Sequence, residues 1–354
     1  MSFLNSVFSI LLASNLSSPD LQSPNVQPFI NDMRSFAESR LDLGQHLLLT
    51  PYIENGEIEK ARSLSKVGKL PNAQRSIPSY SGFITVNKKH NSKYVPSIAY
   101  KIHKSCPPAE VTFKGIGIGN GLVDPITQMN YADYFYQLGI IDSKQALVLK
   151  NVTKQIIQNI KNGNYLEAIN MFNNIVADIP EQANPNYLLQ FSGYDYSYFL
   201  LDTKTPQDMT YFRDYIRLPE FRKAIHVGNL TFHASKKVRD YLLKDFMLSV
   251  KPQLIEIMNN YKVLIYNGQL DLTLPYTPMV EFLQSIEWKR SKEYKEAERK
   301  IWRLCGTDEV AGYVHNVGDF YHVLIRSSGH MAPHEQPEYA LDLITRFVRD
   351  KPLY

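Results

Sequence analysis

Apolar positions along the chain change their spacing from one stretch to the next, and each spacing predicts an element. Phe29, Ile30, Met33, Phe36, Ala37 and Leu41 recur at helical intervals and predict a helix over 29–45. "SYSGFITVN" (Ser79–Asn87) alternates and predicts a strand. "KYVPSIAYKI" puts Val95, Ile98, Ala99 and Ile102 on one apolar helical face, yet the loop such a helix normally follows is not there. "EVTFKGIGIGNGLVDP" (Glu110–Pro125) is a short apolar run broken by glycines. It predicts a buried strand that other backbone approaches closely.

Asp142 to Val176 reads as a helical hairpin. Asp142 suits the N-cap, with Gln145 at the capping-box position. Leu149, Val152, Ile156 and Ile160 line one helix, "NGN" (Asn162–Asn164) turns the chain, and Ala168, Ile169, Phe172 and Ile175 line the next. In the last third, "SVKPQLIEIMNNY" is a helix, "KVLIYNG" a strand and "FYHVLIR" a second strand. "PEYALDLITRFVRD" closes as a helix, with Pro337 in its first turn. Strands alternating with helices predict an α/β protein with a mostly parallel sheet covered on both faces.

Composition bounds the function classes. The 354 residues are 44% hydrophobic, enough for a large core in one domain or two. The net charge of +4 is spread without a long basic run, which argues against a nucleic-acid partner. No apolar run is long enough to span a bilayer. "MSFLNSVFSILLASNLSS" over residues 1–18 suits a signal peptide or a buried first helix. Sequons at Asn15, Asn151 and Asn229 lean toward a secreted glycoprotein. Cys106 and Cys305 allow one disulfide, which their spacing does not decide. No Cys/His cluster has zinc spacing, and no metal or other cofactor is expected.

Two residues carry candidate chemistry. Asp271 lies just past the strand "KVLIYNG", and His330 just past the strand "FYHVLIR". In open α/β sheets, catalysis sits outside the carboxyl ends of strands. An Asp there can accept the Nδ1 proton of a His and leave Nε2 as a base. The order Asp then His fits the second and third members of an α/β-hydrolase triad, whose first member is a Ser in a G-x-S-x-G elbow. No serine fits. Ser81 lies within a predicted strand, Ser327 and Ser328 share the strand end of His330, and Ser92 in "HNSKY" has neither flanking glycines nor a strand entering it.

Together these stretches resemble the serine carboxypeptidase family, most of all its vitellogenic carboxypeptidase-like branch. The stretches that carry the resemblance are "TPYIENGEIEKARSLSKVG", "SYSGFITVN", "KYVPSIAYKIH", "FKGIGIGNGLVDP", "LPEFRKAIHVGN", "SVKPQLIEIMNNYKVLIYNGQLD", "EVAGYV" and "SSGHMAPHEQP". They run in family order from Thr50 onward. In that family "KYVPSIA" directly follows the nucleophile elbow, so the resemblance places a missing segment between Ser92 and Lys93. It would hold the elbow, the glycine-rich oxyanion loop and central strands.

The resemblance implies an α/β-hydrolase-type fold lacking its central strands. An N-terminal core part over 19–124, truncated between 92 and 93, would precede a helical insertion over 125–219 and a C-terminal core part over 220–354. "FKGIGIG" and "KVLIYNG" would then lack strand partners. It implies Asp271 as triad acid, His330 as base and Met331 on the leaving-residue side of the pocket, while the sequons and the apolar N-terminus predict glycan on Asn151, Asn229 or both. The implied activity of the complete form is hydrolysis of C-terminal peptide bonds. Peptide or protein C-termini would be the partners, and the chain would enter the secretory pathway, to be secreted or lysosomal. The alternative is a catalytically inactive splice variant, a pseudoenzyme or an incomplete gene model without the Ser.

Overall fold

A computed structural model describes residues 45–70, 79–81, 94–105, 113–176, 185–230, 232, 240 and 242–354. In chain order the first helices are α1 (Thr50–Glu54), α2 (Ile58–Leu64) and α3 (Tyr94–Lys104), followed by strand β1 (Gly115–Gly119). Five helices come next: α4 (Tyr131–Gln137), α5 (Ser143–Lys161), α6 (Tyr165–Val176), α7 (Tyr187–Ser192) and α8 (Asp208–Tyr215). Then come α9 (Pro219–Ala224), α10 (Lys251–Asn260), β2 (Lys262–Gly268), α11 (Tyr276–Ser285) and α12 (Ser291–Glu296). The chain closes with β3 (Lys300–Arg303), β4 (Val310–Val317), β5 (Phe320–Ile325), α13 (Ala332–Glu335) and α14 (Pro337–Val348).

The chain divides into two compact units. The smaller draws its described residues from 15–90 and 206–234, the larger from 91–205 and 235–354. In the smaller unit, Lys66 and Tyr80 form an isolated antiparallel bridge, and the Ser81 hydroxyl donates to Ile225 O at 2.8 Å. Only Ser79–Ser81 of the expected strand fall within the described residues. The expected helix over 29–45, but for its last residue, lies outside them, as do Asn15, Ser92, Lys93 and Cys106. Cys305 is exposed.

The larger unit holds a five-stranded sheet in the order β1-β2-β5-β4-β3. β1, β2 and β5 pair in parallel, while β4 runs antiparallel to both β5 and β3. Four strands therefore share one direction. β4 and β5 join through a two-residue Gly318–Asp319 turn with Gly318 at φ +55°, a geometry that matches strand twist and favours glycine. Both faces are covered. Val263 and Ile265 of β2 pack with Leu254, Ile257 and Phe282, whereas Leu264 packs on the other side with Trp302, Val314 and Leu343. Burial on both faces explains the near-continuous apolar run of "KVLIYNG".

Between Pro125 and Pro219 the described residues hold helices and no strand. The predicted hairpin forms as α5 and α6. Asp142 Oδ1 accepts from the backbone N–H of Lys144 and Gln145, each at 2.8 Å, and Gln145 Oε1 accepts from Asp142 N–H at 2.8 Å. Leu149, Val152, Ile156, Ile160, Ala168, Ile169, Phe172 and Ile175 are all buried in one core, with Tyr131, Phe135 and Leu272.

Two expectations need correction. β2 does not lack partners: it pairs with β1 on one side and β5 on the other. β1 is the edge, paired with β2 alone among the described residues. The face of α3 also differs. Ala99 is buried, as is Pro96, but Val95 is 41% exposed and Ile98 58% exposed. α3 packs on α10 instead, where His103 meets Tyr261 and Glu256. A helical period tells which residues share a face, but not whether anything covers it.

Candidate active site

The site is built where β2 and β5, adjacent and parallel, end side by side. Their following turns stay bonded. Gln269 N–H donates to Ile325 O at 3.0 Å, and Leu270 N–H to Ser328 O at 2.7 Å. Gly268 and Gly329 make this approach possible. A Cβ on Gly268 would sit 2.0 Å from Gly329 O, and one on Gly329 would sit 2.1 Å from Tyr198 O. Both are far inside van der Waals contact, so a side chain at Gly268 would push the two turns apart and one at Gly329 would push the His330 turn off the Tyr198–Phe199 segment.

Asp271 and His330 are brought together. His330 Nδ1 lies 2.8 Å from Asp271 Oδ2, and the two side chains are 6% and 0% exposed. Asp271 has its other oxygen fixed: Oδ1 accepts from Thr273 N–H at 2.7 Å and Leu274 N–H at 3.0 Å. That is the short-range turn chemistry of aspartate, and it aims Oδ2 at the imidazole. Thr273 is held in turn, by the Tyr131 hydroxyl donating to its carbonyl at 2.6 Å and by Ser197 at 2.8 Å. Burial first, with Asp271 second, holds the Tyr131 phenol well above its ordinary pKa, so it stays a neutral donor.

Nδ1 faces a carboxylate oxygen, which fixes the proton on Nδ1 and leaves the Nε2 lone pair available. Burial works against an imidazolium at His330. The charge of Asp271, its hydrogen bond and the charge of Glu335 outweigh it, and the His330 pKa is raised above 6.5. The site can therefore accept a proton at Nε2 and stabilise the cation that results. Among the described residues, no serine hydroxyl bonds to Nε2. Ser328 is buried and donates to Ile325 O, and Ser197 meets Thr273.

The backbone around His330 is clamped from several sides. His330 N–H donates to Tyr198 O at 2.6 Å, and the two rings lie 4.8 Å apart, tilted at 46°. Glu335 accepts from Gly329 N–H at 2.8 Å and from Met331 N–H at 3.3 Å, the residues on either side of His330. Burial first, then the hydrogen bond from Gly329 acting against it and the charge of Asp271 acting with it, leave the Glu335 pKa at about 7. Asn120 Nδ2 donates to Gly329 O at 3.3 Å and His330 O at 2.7 Å. Met331 is half-buried at the start of α13. Reading the sequence finds the Asp271–His330 pair but misses Asn120, Glu335, Tyr131 and Tyr198. Asn120 had one signal: an Asn between two glycines at the end of a strand, where a left-handed residue is common.

Parallel strands ending at a buried Asp–His pair, with helices on both faces of the sheet, define an α/β-hydrolase-type fold. The chain belongs to the serine carboxypeptidase family, whose profile matches residues 90–350. The stretches before residue 90 quoted above lie outside that match. A probable serine carboxypeptidase, CPVL of Homo sapiens, is 41% identical over 273 residues, covering 76% of this chain and 57% of the relative. The venom serine carboxypeptidase of Apis mellifera is 38% identical, with 76% and 58% covered. The vitellogenic carboxypeptidase of Aedes aegypti is 34% identical, with 75% and 56% covered. The chain thus spans little more than half the length of these relatives. Among solved structures, Kex1(delta)p, a prohormone-processing carboxypeptidase from Saccharomyces cerevisiae, shares the fold. Its TM-score is 0.54 at 18% identity, covering 72% of this chain and 58% of that one.

Among the described residues, no group of three or more His, Cys, Asp or Glu is placed to hold a metal ion. No described helix is long and apolar enough to cross a membrane.

Proposed function

We propose that Asp271 and His330 are the acid and base of a serine carboxypeptidase whose nucleophile belongs to a segment absent between Ser92 and Lys93. The 2.8 Å Nδ1–Oδ2 bond, formed beyond two strand ends in a chain of this family, carries the reading. In the complete form, Nε2 of His330 takes the serine proton as the oxygen attacks the carbonyl of the last peptide bond. Asp271 holds the tautomer and stabilises the imidazolium. His330 then returns the proton to the departing amine, and water completes the cycle by the same route. Met331 lines the side where the leaving residue sits, and the substrates are peptide or protein C-termini.

The domain reading follows the same scheme. A signal segment over 1–18 precedes a truncated core part over 19–124, a helical insertion over 125–219 and a second core part over 220–354. Entry into the secretory pathway, with secretion or lysosomal delivery, fits the sequons at Asn151 and Asn229, both exposed. The chain as written has no covalent route, since losing the nucleophile alone costs about 10⁶ in kcat. The second reading is therefore an inactive splice variant, pseudoenzyme or incomplete gene model. It is favoured by the absence, among the described residues, of a serine at Nε2.

The test inserts the homologous elbow-bearing segment between Ser92 and Lys93. The unaltered chain should resist an active-serine phosphonate. The chimera should be labelled at the inserted serine and should cleave blocked dipeptides, and His330→Ala should abolish both. Labelling of the unaltered chain at any serine, lost on changing His330, would overturn the missing-nucleophile reading. An active chimera indifferent to His330→Ala would overturn the assignment of the base. Genomic sequence between the codons of Ser92 and Lys93 narrows the second reading: an open frame encoding a serine elbow supports an enzyme in complete form, and its absence supports a pseudoenzyme.

A further inference from the structure

We infer that Asn120 is a positioning residue for the His330–Asp271 pair, because its single amide ties the turn after β2 to the turn after β5. Oδ1 accepts from Gly268 N–H at 2.9 Å, three residues before Asp271. Nδ2 gives one proton to Gly329 O at 3.3 Å and the other to His330 O at 2.7 Å. The amide orientation follows from its neighbours: an N–H needs the oxygen, and two carbonyls need the nitrogen.

The position is demanding. Asn120 directly follows β1, is 6% exposed, and sits at φ +45° with its own N–H bonded to Tyr266 O at 2.8 Å. Asparagine is among the few residues that enter the left-handed region readily. Leucine has a similar size but would take the side-chain partner from three backbone groups, two of them buried. Aspartate would set a carboxylate against two carbonyl oxygens. Glutamine would carry its amide one methylene too far. The three strand ends of β1, β2 and β5 thus meet on one side chain. A slip between the last two would separate Asp271 Oδ2 from His330 Nδ1.

Asn120 serves catalysis only if His330 is the base proposed above, but its hold on His330 can be read without turnover. In the 354-residue chain with ¹⁵N-labelled histidine, the His330 Nδ1 proton should give a far-downfield resonance, and the ring should titrate above the ordinary histidine value. In Asn120→Leu the resonance should broaden or vanish, and the titration should fall to about 6.5 or below. Gln128→Leu is the control. Gln128 is equally buried and bridges the Gly121–Asp124 turn, with Oε1 accepting from Val123 and Asp124 N–H. It should lower Tm and leave the His330 signals in place.

An unchanged resonance and titration in Asn120→Leu would overturn the inference, and so would an equal change in Gln128→Leu. If Asn120→Leu does not fold, the unaltered chain decides. The Asn120 side-chain amide resonances should shift with the same midpoint as the His330 ring, and amide resonances that stay flat through that titration overturn it. Failure of the elbow chimera to hydrolyse dipeptides would leave all these readouts as they are, so the two readings fail separately.

Discussion

Asp271 has both oxygens committed, one to its own turn and one to His330. In the elbow-bearing chimera, Asp271→Asn should lower kcat by about 10⁴, the size of the same change in a serine protease, since an amide NH₂ facing Nδ1 enforces the wrong tautomer. A steady-state rate within tenfold of the parent would make Asp271 an ordinary turn residue. Glu335 offers a milder test. Its charge raises the His330 pKa, so Glu335→Gln should lower the His330 titration midpoint, as read by NMR. The residues differ in how far the sequence exposes them. Asp271 and His330 are legible because a reactive side chain just past a strand end is itself a signal. Asn120 and Glu335 are not, since Asn120 binds backbone groups of two other segments and Glu335 those of the turn just before its own helix, and backbone groups look alike at every position.

Among the elements, the helices and the buried parallel strands β1, β2 and β5 are legible, whereas β3 and β4 are not. The α5–α6 hairpin follows from its period and capping box alone. Asp142→Ala should cost about 1 kcal/mol, and Ile156→Ala in the buried face about 2–5 kcal/mol, both by denaturant melts. β3 and β4 escape a period-based reading because their residues make sense only against β5. The Gly318–Asp319 turn was the available hint. β1 ends the sheet with one side unpaired among the described residues. A parallel-sheet edge of this kind recruits other strands, and the exposed Val95 and Ile98 add apolar surface. The chain should therefore self-associate and bind an apolar-surface dye. Gly117 points a would-be side chain into open space, so Gly117→Lys should reduce association in sedimentation experiments.

For the whole molecule, three buried groups shape stability against pH. Burial first, with neighbouring His315, lowers the His322 pKa from 6.5 to about 3. The unfolded chain holds the extra proton between those values, so this contribution is complete above about pH 6.5 and lost as pH falls toward 3. Glu335 acts oppositely: raised from 4.5 to about 7, it favours the fold below about pH 4.5 and loses that as pH rises through 7. His330, raised above 6.5, adds to the loss on the alkaline side. From about pH 4.5 to 6.5 the first two slopes cancel. Tm should be nearly level there and fall on both sides, with about 2 kcal/mol lost between pH 4.5 and 3 through His322. His322→Gln should flatten the acid limb and leave Tm falling from about pH 4.5 upward, whereas Glu335→Gln should soften the alkaline limb and leave Tm rising from about pH 4.5 to 6.5.

The contact between Gly268 and Gly329 has a consequence for how this chain tolerates genetic variation. Every single-nucleotide missense change at either codon introduces a Cβ where a carbonyl oxygen stands about 2 Å away. A saturation library scored by abundance should find both positions as unforgiving as the packed centre of β2. One built in the elbow-bearing chimera and scored by turnover should find them as unforgiving as His330. Intolerance alone would therefore count four indispensable residues at this junction, two of which carry no reactive group.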